Sequence, residues 1–226
     1  MRPVMAEAAT VAGVTTGELD ALARDLAVTR HAVSAPAAVY GFPGTVLISV
    51  NDEVVHGVPG ARRIATGDIV KLDVTLQKDG YVADAARTVL VGETPDVAAR
   101  LADTARRALD AALAIARAGT KVNEIGRTIE SIVRGDGFSV IPELAGHGVG
   151  RTIHEPPSVP NHYNRFQRDV LTDGLVITIE PIIAAGKPSI RTDRDGWTIR
   201  TKDGSLAAHV EHTLVITAGA PMLLTA

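Results

Sequence analysis

The chain has 226 residues, 46% of them hydrophobic and 22% charged, and its 23 basic and 26 acidic residues give a formal net charge of −3. These values are ordinary for a globular protein and argue against a disordered chain, and against nucleic acid or an anionic membrane as the main partner. Cysteine is absent, which excludes a disulfide scaffold, a thiolate metal site and a cysteine nucleophile. Residues 1–13 lack a secretory signal pattern and no apolar run approaches the roughly 20 residues of a membrane span, so we expect a cytoplasmic protein.

The N-terminal part predicts one helix followed by a short strand. Thr15 and Glu18 have the spacing of a capping box. Apolar side chains then recur at helical spacing as far as Leu26. Proline and glycine punctuate the next stretch, which predicts a loop before a strand over residues 45–50.

A long β-hairpin is predicted next. Alternating side chains predict a strand over residues 70–76, and Asp79-Gly80 predicts a two-residue turn into a return strand. Pairing across this turn sets Asp84 opposite Thr75, and makes Asp73 its diagonal neighbour on the same face. The two carboxylates are either a solvated pair on a polar face or ligands of a shared cation.

Two helices and a second group of strands complete the prediction. Apolar stripes predict helices over residues 97–116 and 122–133, each ended by a glycine (Gly119 and Gly135). The later strands are predicted over residues 175–180, 190–201 and 207–217. Because strands and helices are mixed without regular alternation, we expect an α+β fold. We place one domain over residues 15–226, preceded by a short segment, 1–14.

Three polar residues of the second half stand where chemistry is expected. His147 is flanked by glycines, so that backbone can approach closely and the imidazole can reach a ligand. Glu180 ends an apolar run and Glu211 lies within one, and an unpaired buried charge costs several kcal/mol or more. Taken singly, each also fits a packing histidine or a glutamate paired with arginine. Together with Asp73 and Asp84 they form a set of carboxylate and imidazole ligands for two divalent ions, which at ~3.5–4 Å apart can activate water and polarise a carbonyl.

Six segments also occur in an order that a known family shares. They are HAVSA (31–35), ISVNDEVVHGVP (48–59), LDVTLQKDGYVAD (72–84), GHGVGRTIHEPP (146–157), TIEP (178–181) and DGWTIRTKDGSLAAHVEHT (195–213). From about Val11 to its C-terminal end, the chain resembles the type I methionine aminopeptidases, which belong to the pita-bread metallopeptidases. The resemblance implies a pita-bread fold, in which two related α/β halves surround a curved antiparallel sheet. It also implies two divalent metal ions per chain, with Mn, Co, Fe, Zn and Ni as candidates.

The resemblance implies a role for each candidate ligand. Asp73 would bind one ion, and Asp84 and Glu211 would bridge both. His147 and Glu180 would complete the second ion's ligands. The same resemblance makes Glu180 the carrier of a proton from the attacking water.

Further residues would contact the substrate. His154 would hydrogen-bond the substrate carbonyl, and His56 would lie on the P1′ side of the scissile bond. The implied substrate-binding residues are His56, Phe42, Leu47, Val39, Ile153, His154 and Trp197. Val39 and Ile153 stand where the family usually has aromatic residues, so we expect a looser methionine pocket. His31 lies in the first matching segment but is not a ligand in the family pattern. Three other histidines are interpreted as surface or structural: His162, His209 and His212.

The implied activity is removal of the N-terminal methionine from nascent proteins and peptides, with preference for a small second residue. We expect peptide and nascent-protein N-termini as partners, no nucleic acid or membrane, and a monomer. Typical family members carry a longer N-terminal segment, so their first helix is expected to be missing or shortened here. One alternative is a proline-directed peptidase of the same group (aminopeptidase P or prolidase type), which usually has an additional domain. The other is a non-catalytic relative that binds protein or RNA, and such relatives lose metal ligands.

Overall fold

A computed structural model describes residues 9–225, so residues 1–8 of the predicted N-terminal segment lie outside the described residues. Within that range the helices are α1 (Thr16–Val28), α2 (Ala35–Tyr40), α3 (Asp96–Ile115) and α4 (Val122–Gly135). The strands of the first half are β1 (Val33–Ser34), β2 (Leu47–Val50), β3 (Glu53–Val55), β4 (Ile69–Lys78) and β5 (Tyr81–Leu90). Those of the second half are β6 (Ser139–Val140), β7 (Ala145–Gly148), β8 (Glu155–Pro160), β9 (Val176–Ile179), β10 (Ile182–Ala184), β11 (Ile190–Thr192), β12 (Ile199–Thr201), β13 (Ala207–His209), β14 (His212–Val215) and β15 (Met222–Leu223).

All strand pairs are antiparallel, and two sheets supply the framework of the molecule. In the first half β4 lies between β1 and β2 and also pairs with β5. In the second half the order is β15-β14-β9-β7-β8. Smaller sheets combine β13-β10-β6 and β11-β12-β3, and the latter joins strands from both halves. Mixed helices and antiparallel sheets confirm the predicted α+β class.

The β4–β5 hairpin has the predicted register. Asp79 and Gly80 occupy the turn with φ of 52° and 78°, as a type I′ turn requires. Lys78 therefore pairs with Tyr81, and Thr75 with Asp84. The predicted pairing is confirmed.

The start of α1 is also confirmed. The Thr15 side chain accepts a hydrogen bond from the Glu18 amide at 3.1 Å, and the Glu18 carboxylate accepts from the Thr15 amide at 2.7 Å. This reciprocal pair satisfies two backbone donors that the first helical turn leaves free.

The helices α3 and α4 pack together over the second large sheet. One stripe of each helix is buried, including Leu101 and Ala105 of α3 and Ile125 and Ile129 of α4. These side chains share one core with Ile177 of β9. The helical spacing read from the sequence therefore identifies the buried faces.

Several predicted boundaries are wrong. The strand predicted over 190–201 is two strands, because Asp195 caps a turn by accepting from the Trp197 and Thr198 amides, each at 2.8 Å. The strand predicted over 207–217 is interrupted between β13 and β14. The helix α4 includes Gly135, and the glycine with left-handed φ (84°) that follows it is Gly137.

One helix was not predicted. The Ser34 side chain caps α2 by accepting from the Ala37 amide, Pro36 fits the first turn, and Gly41 ends the helix with φ of 73°. Among the described residues, no helix is both long and apolar enough to cross a membrane.

Candidate metal centre and substrate cavity

The β4–β5 hairpin carries two carboxylates on one face, one partly buried and one buried. Asp73 lies on β4 and Asp84 on β5, and Thr75 Oγ1 donates to Asp84 Oδ1 at 2.8 Å. Thr213 of β14 joins this hairpin to the second half of the chain. Its Oγ1 accepts from the Asp84 amide at 2.9 Å and donates to the Asp84 carbonyl at 2.7 Å. The backbone of Asp84 is therefore fixed by a strand from the other half.

The other three candidate ligands come from the second half. His147 lies on β7, Glu180 between β9 and β10, and Glu211 between β13 and β14. The Glu211 amide donates to the Ala86 carbonyl of β5 at 3.0 Å. His147 Nε2 lies 3.5 Å from Glu180 Oε1. Residues far apart in the chain thus converge on the hairpin.

The glycines around His147 permit this convergence. A Cβ at Gly146 would lie 2.6 Å from the Thr178 carbonyl oxygen, and one at Gly148 would overlap the Pro156 carbonyl. His147 Nδ1 lies 2.9 Å from the Gly148 carbonyl, which can only accept a hydrogen bond. The proton is therefore on Nδ1, and Nε2 keeps the lone pair that a cation needs.

Crowding of acids gives this site its unusual electrostatics. Burial, reinforced by Asp84, raises the pKa of Asp73, Glu180 and Glu211 well above their ordinary values. Asp73 Oδ1 and Glu211 Oε1 are buried without a hydrogen-bond partner among the described residues. Such a cluster is costly unless a positive charge lies between its members.

The donor atoms fit a divalent cation. One ligand atom each from Asp84, His147 and Glu211 lies within 4.8 Å of the other two. Carboxylate oxygen and imidazole nitrogen, without sulfur, are ligands that Mn, Fe, Co, Ni and Zn all accept. The orphaned oxygens of Asp73 and Glu211 are what such ions would satisfy.

These groups line a cavity of about 510 Å³. The residues predicted for the site that line it are Asp73, Asp84, His147, Glu180, Glu211, His56, His154, Phe42, Leu47, Ile153 and Trp197. Val39 does not line the cavity; it is 56% exposed, and Tyr40 lines the cavity instead. The prediction of Val39 as a pocket residue is therefore corrected. Since α2 is a helix, neighbouring residues face different directions, and a loop prediction could not assign them.

Two histidines stand beside the carboxylates. His154 Nδ1 lies 2.7 Å from the Tyr40 hydroxyl, and its ring centroid is 4.3 Å from that of His147. Burial lowers the pKa of His154, and the nearby His147 lowers it further. Burial also lowers the pKa of His56. Both residues are thus neutral hydrogen-bonding groups at neutral pH.

An apolar wall completes the cavity. The rings of Phe42 and Trp197 meet edge to face, with centroids 5.3 Å apart and an interplanar angle of 88°. Leu47 and Ile153 are buried nearby in the lining. Such a surface suits an unbranched apolar side chain.

Two polar residues that were not predicted for the site support it. Thr178 Oγ1 donates to Glu180 Oε1 at 2.9 Å and accepts from the His147 amide at 3.0 Å. His209 is buried as a structural residue would be, yet it lines the cavity, and burial lowers its pKa to about 3. Their spacing in the sequence could have identified both. Thr178 and His209 each precede a candidate glutamate by two residues, and side chains two positions apart on a strand lie on the same face.

Comparison with known proteins gives one consistent family. The model of metallopeptidase family M24 matches residues 1–218. The methionine aminopeptidase of Escherichia coli K12 is 44% identical over 215 residues, which cover 94% of this chain and 81% of that protein. The crystal structure of the Rickettsia prowazekii methionine aminopeptidase superposes with a TM-score of 0.95 at 32% identity, covering 99% of this chain and 90% of that one. That of Thermotoga maritima gives a TM-score of 0.95 at 34% identity, covering 98% and 90%. The predicted pita-bread fold is confirmed by these structures.

Proposed function

The chain belongs to metallopeptidase family M24, and we propose that its reaction takes place in the cavity lined by the hairpin acids and His147. Its close relatives make it a metallo-aminopeptidase that removes N-terminal methionine from peptides. The observation that supports this location is that acids from both halves of the chain and His147 line one cavity beside an apolar wall.

We propose that the site binds two divalent ions. Asp73 would hold one, His147 and Glu180 the other, and Asp84 and Glu211 would bridge them. Support comes from the raised pKa values of Asp73, Glu180 and Glu211, which mark acids crowded without a neutralising charge. When bound, divalent ions supply Lewis-acid activation of water and of the scissile carbonyl.

The protein's own groups would orient the substrate and move the proton. A carboxylate oxygen of Glu180 would take the proton of the attacking water and deliver it to the leaving amine. His154 would donate a hydrogen bond to the carbonyl oxygen, where negative charge develops. His56 would border the P1′ side chain. Its backbone has a left-handed φ of 59°, and the adjoining Gly57 packs against β2, where a Cβ would overlap the Ile48 carbonyl.

The methionine side chain would lie against the apolar wall. Phe42 and Trp197 supply its aromatic part, and Leu47 and Ile153 its aliphatic part. One methylene contributes only ~1–3 kcal/mol to discrimination in such a pocket. Peptides that begin with norleucine should therefore be accepted, and those that begin with leucine should be cleaved slowly. A large P1′ residue would displace the scissile carbonyl, so small second residues should be preferred.

A peptide panel with metal removal and replacement tests the function. Met-Ala-Ser should be cleaved, and Leu- and Pro-initiated tripeptides should be poor substrates. EDTA should abolish cleavage, and added Mn or Co should restore it because the reaction needs the ions. Met-Lys-Ser serves as the P1′ control and should be cleaved much more slowly.

Two results would overturn this proposal. Full activity in demonstrably metal-free protein would exclude the metal-dependent mechanism. Equal or faster cleavage of Pro-initiated peptides would instead favour the proline-directed alternative.

We further propose that the enzyme acts in the cytoplasm on nascent-protein N-termini, as a monomer. The candidate ligands all come from one chain, so no second copy is needed to complete the site. Light scattering after size-exclusion chromatography should give the mass of a single chain. A stable dimer would contradict the monomer.

A further inference from the structure

The imidazole of His209 has no part in the chemistry above, yet it lies inside the metal-binding cavity. Only 2% of the residue is exposed, and neither ring nitrogen has a hydrogen-bond partner among the described residues. Its backbone is held on both sides by Thr88, whose hydroxyl accepts from the His209 amide at 2.9 Å and donates to its carbonyl at 2.7 Å. A buried polar group without a hydrogen-bond partner destabilises the fold, so we look for a partner within reach of this ring.

Two carboxylates lie just beyond hydrogen-bond distance of this ring. His209 Nε2 is 3.7 Å from Glu180 Oε2 and 3.9 Å from Glu211 Oε2. The other oxygen of Glu180 lies 3.5 Å from His147 Nε2 and accepts from Thr178. His209 therefore lies beside both glutamates and faces the Glu180 oxygen that His147 does not, and a small rotation of either carboxylate would close the contact.

The direction of such a hydrogen bond follows from the groups involved. As metal ligands the two carboxylates are ionised and only accept, so the nitrogen that faces them must carry the proton. That requirement selects the Nε2–H tautomer of His209. The two histidines therefore differ in tautomer. His147 carries no proton on Nε2, because its Nδ1 donates to the Gly148 carbonyl.

We propose that His209 donates its Nε2–H to the Glu180–Glu211 pair and so holds both carboxylates in the orientation that binds the metal ions. His209 is a positioning residue and does not bind an ion itself. The proposal rests on the proposed function only in taking Glu180 and Glu211 as ligands. Loss of hydrogen bonds to ligating groups generally weakens metal binding by ~10–100-fold.

A matched pair of amide variants isolates the Nε2 hydrogen bond. In His209→Gln the amide nitrogen comes close to the position of Nε2, whereas in His209→Asn it comes close to that of Nδ1. Both variants are polar and uncharged, so burial and charge are held constant. The measurement is calorimetric titration of Mn²⁺ into metal-free full-length protein, with circular dichroism and thermal unfolding of the metal-free form as folding controls.

We expect the Kd of His209→Gln to stay within about threefold of the wild-type value, and that of His209→Asn to rise by ~10–100-fold. If the Asn variant does not fold, His209→Leu gives the same comparison, because it fills the space without a donor. Wild-type affinity in the variant without the donor would reduce His209 to a packing residue and overturn the proposal. Equal loss in the Gln variant would overturn it in favour of direct ligation by imidazole.

The outcome is separable from the proposed function. Cleavage of methionine peptides is not the readout, so a wild-type protein that binds Mn²⁺ without cleaving them would refute the proposed function alone. If the protein cleaves methionine peptides but His209→Gln and His209→Asn bind Mn²⁺ equally well, the role of His209 alone is refuted.

Discussion

At the residue scale, the Tyr40 hydroxyl lies 2.7 Å from Nδ1 of His154, the proposed donor to the substrate carbonyl. The proposed role of His154 needs the proton of the neutral ring on Nε2, which in turn requires the phenol to donate to Nδ1. Tyr40 and His154 are 114 positions apart in the chain, and no local pattern could have paired them.

This arrangement gives a graded prediction for two variants. His154→Ala should lower kcat by about 10²–10³, because it removes a donor that acts on charge developing in the transition state. Tyr40→Phe should lower kcat by a smaller factor. The imidazole remains, and only the hydrogen bond that keeps its proton on Nε2 is lost. KM and metal content should change little in both. Steady-state kinetics on Met-Ala-Ser and elemental analysis measure this, and loss of metal from His154→Ala would contradict the assignment.

At the element scale, α4 can approach the sheet because Gly126 has no side chain. A Cβ there would overlap the His162 carbonyl and lie 2.7 Å from the Pro160 carbonyl oxygen. The flanking Ile125 and Ile129 are fully buried, so the helix cannot shift outward without exposing them. The glycine is thus a requirement of packing.

A second glycine of the same helix provides the control for a stability prediction. Gly126→Ala should lower the free energy of unfolding by about 1–3 kcal/mol, as overpacking generally does. At Gly135 a Cβ would meet nothing within 4 Å. Gly135→Ala should therefore be neutral or raise stability by up to about 1 kcal/mol through helix propensity. Urea unfolding compares the two, and equal effects would contradict the packing argument.

The same scale shows what the sequence could and could not predict. The hairpin was predictable because Asp79-Gly80 fixes its register within two residues. The side of α2 that faces the cavity was not, because a stretch interpreted as a loop has no defined faces. Val39, which the resemblance alone placed in the pocket, does not line the cavity. The candidate ligands were found from motifs, whereas the proximity of His209 to Glu180 depends on the pairing of β13 with β10, which sets His209 opposite Ile182.

At the scale of the whole molecule, the crowded acids couple stability to pH and to metal. Asp73, Glu180 and Glu211 have pKa values raised well above their ordinary values of 3.8 to 4.5. Their neutral forms favour the folded state, so the metal-free protein loses stability as pH rises from about 4 toward the raised values. Metal ions require the ionised forms and must displace these protons, so binding strengthens over the same range.

We therefore expect the gain in Tm on adding Mn²⁺ to increase from pH 6 to pH 8. The loss of stability in the metal-free protein and the stronger metal binding both enlarge this gain. As pH rises, the metal-free form becomes less stable, and Mn²⁺ no longer competes with protons for the carboxylates. Thermal unfolding with and without Mn²⁺ at pH 6, 7 and 8 measures it. Glu211→Gln, which removes one titrating ligand, should flatten the trend, and a gain that shrinks with pH would contradict the coupling.

The link between Thr213 and Asp84 also bears on the order of folding. The two residues are 129 positions apart, so their hydrogen bonds form only after a long loop has closed. Local structure such as the hairpin can form earlier, so Asp73 and Asp84 can come together before the acids of the second half reach them. The complete set of candidate ligands exists only once the two halves have closed on each other. A cation held by the whole set would therefore favour the closed structure over any state in which the halves are apart.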